Sequence, residues 1–136
     1  MTSTYAEGVL YLNAGDNLSE DLTYLGDLTG RTLLWVTIKK SQQDADGAAL
    51  MQIEETAGLE YINGGAAGTP ANGVITVTNV VAGNLTWTLR ATESVKLVDV
   101  AGKCYFDVKW ADAAGDVWTL YRRKIVFTTD ITRAVS

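Results

Sequence analysis

The stretch "KCYFDVKWADAAGDVWTLY", Lys103 to Tyr121, decides the fold class. In its first half Cys104, Phe106, Val108 and Trp110 share one parity, and Lys103, Tyr105, Asp107 and Lys109 share the other. A period of two with one apolar and one polar side is a β-strand with one face in a core and one outside. "ADAAGD" then supplies turn residues, and Trp118 and Leu120 take the inward parity of a returning strand. Ile125 and Phe127 are the next apolar pair but fall out of phase with Leu120, so a β-bulge is expected near Arg122 and Arg123.

The same alternation runs outward from this hairpin. A first strand covers Val9 to Leu12, breaks at "NAGDN", and a second reaches about Leu25 before the turn Gly26 to Gly30. "TLLWVTIKK" sets Leu34, Val36 and Ile38 against Trp35 and Thr37, and "ALMQIEE" turns Met51 and Ile53 inward. "GLEYINGGAAGTPANG" reads as a short strand followed by a glycine-rich surface loop. "VITVTN" places Ile75 and Val77 inward, and "NLTWTLR" does the same for Leu85, Trp87 and Leu89. Only Ala91 to Gly102 lacks alternation, and one helical turn is expected there. Short strands at this spacing predict an all-β, antiparallel sandwich of immunoglobulin-like type. At 136 residues the chain is one domain with one core, with short flexible ends expected at 1–6 and 130–136.

Composition narrows the function. Eleven Lys and Arg against sixteen Asp and Glu give a net charge of −5, which opposes the phosphate contacts of a nucleic-acid surface. No apolar run approaches the ~20 residues of a membrane span, and "MTSTYAEG" lacks the basic and apolar regions of a secretory signal. With one cysteine there is no internal disulfide to form, so a soluble protein made in a reducing cytosol is expected.

No catalytic, cofactor or metal residues emerge. The chain has no histidine, which removes Ser-His-Asp and Cys-His catalysis and the commonest metal ligand. Cys104 lies at a core parity with no basic partner nearby in sequence, so it reads as an inert thiol. Glu20 with Asp21, and Glu54 with Glu55, are strand neighbours and point to opposite faces, so neither pair fits a two-carboxylate cleft. "DADG", Asp44 to Gly47, begins like a calcium loop but lacks the later acidic ligands. The glycines before Val74 are followed by no Gly-Lys-Ser/Thr. Asn17-Leu-Ser19 and Asn84-Leu-Thr86 match the glycosylation pattern, which means little without a secretory signal.

Surface residues remain. Trp35, Tyr105, Tyr121 and Val126 fall on outward parities, and outward aromatics are enriched where proteins meet. "YRRK" adds Arg122 and Arg123, either for an acidic patch or as a strand edge that discourages pairing. The candidate protein interface is therefore Trp35, Tyr105, Tyr121, Arg122 and Arg123.

"GDNL" at Gly15 to Leu18, "DLTG" at Asp27 to Gly30, "GKCYFD" at Gly102 to Asp107, "DAAGD" at Asp112 to Asp116 and "DITR" at Asp130 to Arg133 together resemble an immunoglobulin-like domain of tailed bacteriophages. The chain is similar to the N-terminal domain of phage baseplate upper proteins and to small virion proteins that stand alone. The resemblance spans nearly the whole chain through short motifs. It implies a non-catalytic virion protein, synthesised in the bacterial host cytoplasm, that docks fibre or receptor-binding proteins at the tail or baseplate and forms a homo-oligomer within the particle. Arg123 stands where the family commonly has a glycine before the last strand. Fibre-bearing relatives also continue beyond the point matching "DITRAVS", so the fibre would come from another chain. Capsid decoration or a head fibre is the alternative within the virion, and a glycan-binding module using Trp35 and Tyr105 is the alternative outside that class.

Overall fold

The computed structural model describes residues 4–40, 48–97 and 103–129. Among them, ten strands form two sheets: β1 Thr4–Ala14, β2 Leu18–Leu22, β3 Leu33–Lys39, β4 Met51–Glu54, β5 Gly58–Ile62, β6 Gly65–Ala66, β7 Gly73–Asn79, β8 Asn84–Leu89, β9 Lys103–Ala111 and β10 Val117–Thr129. The larger sheet has the order β1-β10-β9-β3-β4-β5-β6 and the smaller the order β2-β8-β7. The run β10-β9-β3-β4-β5 follows the G-F-C-C′-C″ sheet of a variable-type immunoglobulin sandwich, and β2-β8-β7 follows its B-E-D strands. The single domain is an all-β immunoglobulin-like sandwich.

The pairings are antiparallel except that β1 runs parallel to β10. β1 also starts at Thr4, inside the end expected to be flexible, whereas 130–136, Asp44 to Gly47 and Gly102 lie outside the described residues. The non-alternating segment holds the expected helical turn, α1 Ala91–Ser94, followed by a 3-10 turn Val95–Leu97. Buried Ser94 fixes it by accepting the Gly15 amide at 2.9 Å and donating to the Asp16 carbonyl at 2.5 Å.

The core forms as the alternation requires, from Leu34, Val36 and Ile38 of β3, Leu85, Trp87 and Leu89 of β8, and Cys104, Phe106 and Val108 of β9. An aromatic chain joins the sheets: Trp87 lies 5.7 Å from Phe106, which meets Tyr121 edge-on at 5.8 Å. Offset and edge-on pairs are stabilising geometries for rings. This cluster occupies the middle of a sandwich that has no disulfide. Cys104 is buried, and its burial pushes the thiol pKa up against the opposing charge of Lys40.

Strand β10 corrects three expectations. Its bulge lies between Thr119 and Tyr121, ahead of Arg122 and Arg123. Leu120 is the extra residue, and it and Tyr121 are both buried, so Tyr121 is a core ring rather than an outward one. The phase change then turns Arg122 outward opposite Asp107 and Arg123 inward opposite buried Phe106. Trp118 pairs with buried Trp110 at the sheet end but remains 39% exposed, because its ring leans over the hairpin and donates Nε1–H to Asp112 at 3.0 Å.

Candidate functional site

The outer face of the larger sheet can be rebuilt from its registers. One cross-strand row reads Lys124, Tyr105, Lys39; the next reads Arg122, Asp107, Thr37, Gln52, Tyr61; a third reads Thr119, Lys109, Trp35, Glu54. Tyr11 of β1 and Val126 of β10 extend the face at one end, and Val117 and Leu33 at the other. Trp35, Tyr105 and Arg122 therefore share one surface, and for Trp35 and Tyr105 this is the outward parity read from the sequence. Tyr121 and Arg123 do not join it.

The face has relief. Thr37 is a small residue between longer neighbours, and it is buried under them together with Gln52, whose Nε2 donates to the Thr37 hydroxyl at 3.2 Å. The dip so formed is a shallow concavity of about 200 Å³ lined by Trp35, Thr37, Gln52, Asp107, Lys109 and Val117, with Lys39 at its rim. Its aromatic wall and polar floor suit one side chain of a partner, the anchor-in-pocket arrangement that dominates protein interfaces. Glu54 is outward but committed to the fold: its carboxylate accepts the Thr56 and Ala57 amides at 2.5 and 3.2 Å.

Charge on this face departs from that of the chain. Lys39, Lys109, Arg122 and Lys124 outnumber Asp107 and Glu54, although the whole protein carries −5. The acids gather elsewhere, notably at the end where the β2–β3, β4–β5 and β9–β10 loops meet. Arg31 clamps Glu55 there through two charge-assisted hydrogen bonds of 2.7 and 2.5 Å, and the Thr32 amide donates to the Ala111 carbonyl at 2.9 Å. Asp27 and Asp112 are tied locally, and their pKa values are lowered. The Thr29 hydroxyl and amide hold Asp27 ionised; the Trp118 indole, then the amides of residues 114–116, do the same for Asp112.

A signal missed in sequence concerns Arg123. Glu20 shares the inward parity of Leu18 and Leu22, opposite Trp87, whose Nε1 donates to it at 3.3 Å. Desolvation raises the Glu20 pKa, opposed by the Trp87 hydrogen bond and the charge of Arg123. An acid at core parity on β2 calls for a cation facing it, and Arg123 is that cation.

The described residues hold no group of three or more His, Cys, Asp or Glu able to bind a metal ion. No described helix is long and apolar enough to cross a membrane. Asn17 and Asn84, the sequon asparagines, use their side-chain oxygens to accept the Ala91 amide at 2.7 Å and the Tyr24 amide at 2.9 Å.

No protein-family model and no curated sequence matches the chain. Among solved structures it is similar to the NK cell receptor Nkp44, described as a triggering partner in natural cytotoxicity, at 14% identity and a TM-score of 0.49, covering 94% of this chain and all of that one. It is also similar to a structure from work on cell-adhesive interactions of VGSC beta subunits, at 12% identity and a TM-score of 0.36, covering 88% of this chain and 91% of that one.

Proposed function

We propose that this protein is a non-catalytic docking module of a tailed-bacteriophage virion, acting at the tail or baseplate through the outer face of its larger sheet. One observation carries the docking part: Trp35, Tyr105 and the cations Lys39, Lys109, Arg122 and Lys124 share one outward sheet face with a concavity at Trp35. The virion part rests on the resemblance of the turn and strand motifs to phage immunoglobulin-like domains. Fibre or receptor-binding proteins are the partners in this reading, and attachment at the capsid is its alternative location.

The test is incorporation. Particles made with Arg122→Glu plus Trp35→Ala should lack the chain while the isolated variant keeps its circular dichroism spectrum. Normal incorporation of this folded variant would overturn the face assignment. Absence of the wild-type chain from purified particles would overturn the virion assignment. A second reading, glycan binding, is favoured by the aromatic wall at Trp35 beside the hydrogen-bonding groups of Gln52 and Asp107. Saturation of Trp35 fluorescence quenching by a host polysaccharide, lost in Trp35→Ala, would select it.

A further inference from the structure

We infer that the outer face also takes a second copy of this chain, docked through its acidic loop end in competition with the fibre or receptor-binding partner, an inference that rests on the docking reading above. The charges are complementary within one molecule. Lys39, Lys109, Arg122 and Lys124 stand on the face, while exposed Asp27 in the β2–β3 loop and exposed Asp116, beside Asp112 in the β9–β10 loop, stand at the loop end. The loop end is also held in shape, by the Arg31–Glu55 clamp and by Asp112, which accepts the Ala114 and Asp116 amides at 3.0 Å each. Trp118, 39% exposed beside Asp112, supplies an apolar anchor of the size that the concavity at Trp35 invites.

Symmetry follows from the same charges. A two-fold dimer made by laying the face on its own image would bring those cations against one another, and juxtaposed like charges are costly at an interface. Loop end on face joins two different surfaces. Such a contact is heterologous, so repetition closes a ring or runs on as a filament. The smaller sheet suits an acidic loop end less well: its outward strand residues Ser19, Asp21, Val74, Thr76, Thr86 and Thr88 include no cation and no aromatic, and the concavity at Thr88 holds one cation, Arg90.

Sedimentation velocity tests this with two variants. Lys109→Glu with Arg122→Glu spoils the face; Asp27→Lys with Asp116→Lys spoils the loop end and spares the Asp112 turn. Wild type should self-associate with concentration, about ten-fold more weakly in high salt than in low. Each variant, confirmed folded by thermal melting, should remain monomeric alone. Their equimolar mixture should give one-to-one dimers and nothing larger, because one intact face meets one intact loop end. Wild type that stays monomeric at millimolar concentration overturns the inference, as does self-association of the loop-end variant or a mixture that stays monomeric. Failure here with loss of particle incorporation by the face variant would leave the docking reading standing; normal incorporation would remove both.

Discussion

The two outward faces of the sandwich share one core but differ in composition. The smaller sheet presents hydroxyls and short side chains, with Thr76, Thr86 and Thr88 beside Val74 and Ser19, and Asp21 bound to the Thr86 hydroxyl at 2.6 Å. The larger sheet presents Trp35, Tyr105 and Tyr61 among lysines and an arginine, over a floor of Thr37 and Gln52. Small β-branched residues satisfy a pleated, half-exposed surface and do little else. Large rings and arginine are residues that interfaces favour, and that contrast is why the larger sheet is the proposed docking side.

The contrast holds only while the common core is intact, so the largest effect is expected there. Trp87→Ala removes the ring that meets Phe106 and should destabilise the protein by about 3–5 kcal/mol, measured by urea unfolding. Both faces should be lost in one transition; a folded variant that keeps one sheet would break the shared-core account. Gly83→Ala comes next. Gly83 has φ +74°, and an added Cβ would sit 2.1 Å from the Gly26 carbonyl oxygen, where the β7–β8 hairpin crosses the β2–β3 loop. A loss of about 2 kcal/mol is expected in the same assay, from left-handed strain and the backbone clash. It should fall on stability, with docking by the folded fraction unchanged.

Single face variants sharpen the comparison further. Arg122→Ala should weaken docking by about 1–2 kcal/mol while moving stability by less than about 0.5 kcal/mol, and Thr76→Ala on the other face should change neither. Binding and melting measured on the same samples separate the two. The smallest effect concerns Glu20. Its native pKa is raised above the ordinary 4.5, so the ionised form is a net cost to the fold at neutral pH, and that cost disappears as pH falls through the raised value toward the unfolded one. Glu20→Gln should therefore be slightly more stable than wild type at pH 7 and equal to it below the carboxylate range. A variant less stable at pH 7 would show that the attraction of Arg123 outweighs desolvation.

Much of this was legible in sequence because strand parity is local. Cys104 through Trp110 fixes its own inside and outside, and Trp35 and Tyr105 follow by the same rule. β10 failed for a definite reason. Between Leu120 and Ile125 the phase must slip once, and the alternation does not say where; a bulge near Arg122 and Arg123 satisfies it equally well, whereas Leu120 bears the bulge and one arginine turns toward Glu20. The parallel partnership of β1 with β10 joins opposite ends of the chain, and no local pattern encodes it. The cationic face was hidden because net charge sums over surfaces that strand order separates.

Hydroxyl-radical footprinting of the isolated chain against the chain in purified particles tests the docking side most directly. Protection should concentrate at Trp35, Tyr105 and Tyr11, while Val74 of the smaller sheet, 45% exposed, keeps its reactivity. Protection at Val74 with Trp35 and Tyr105 unchanged would contradict the account.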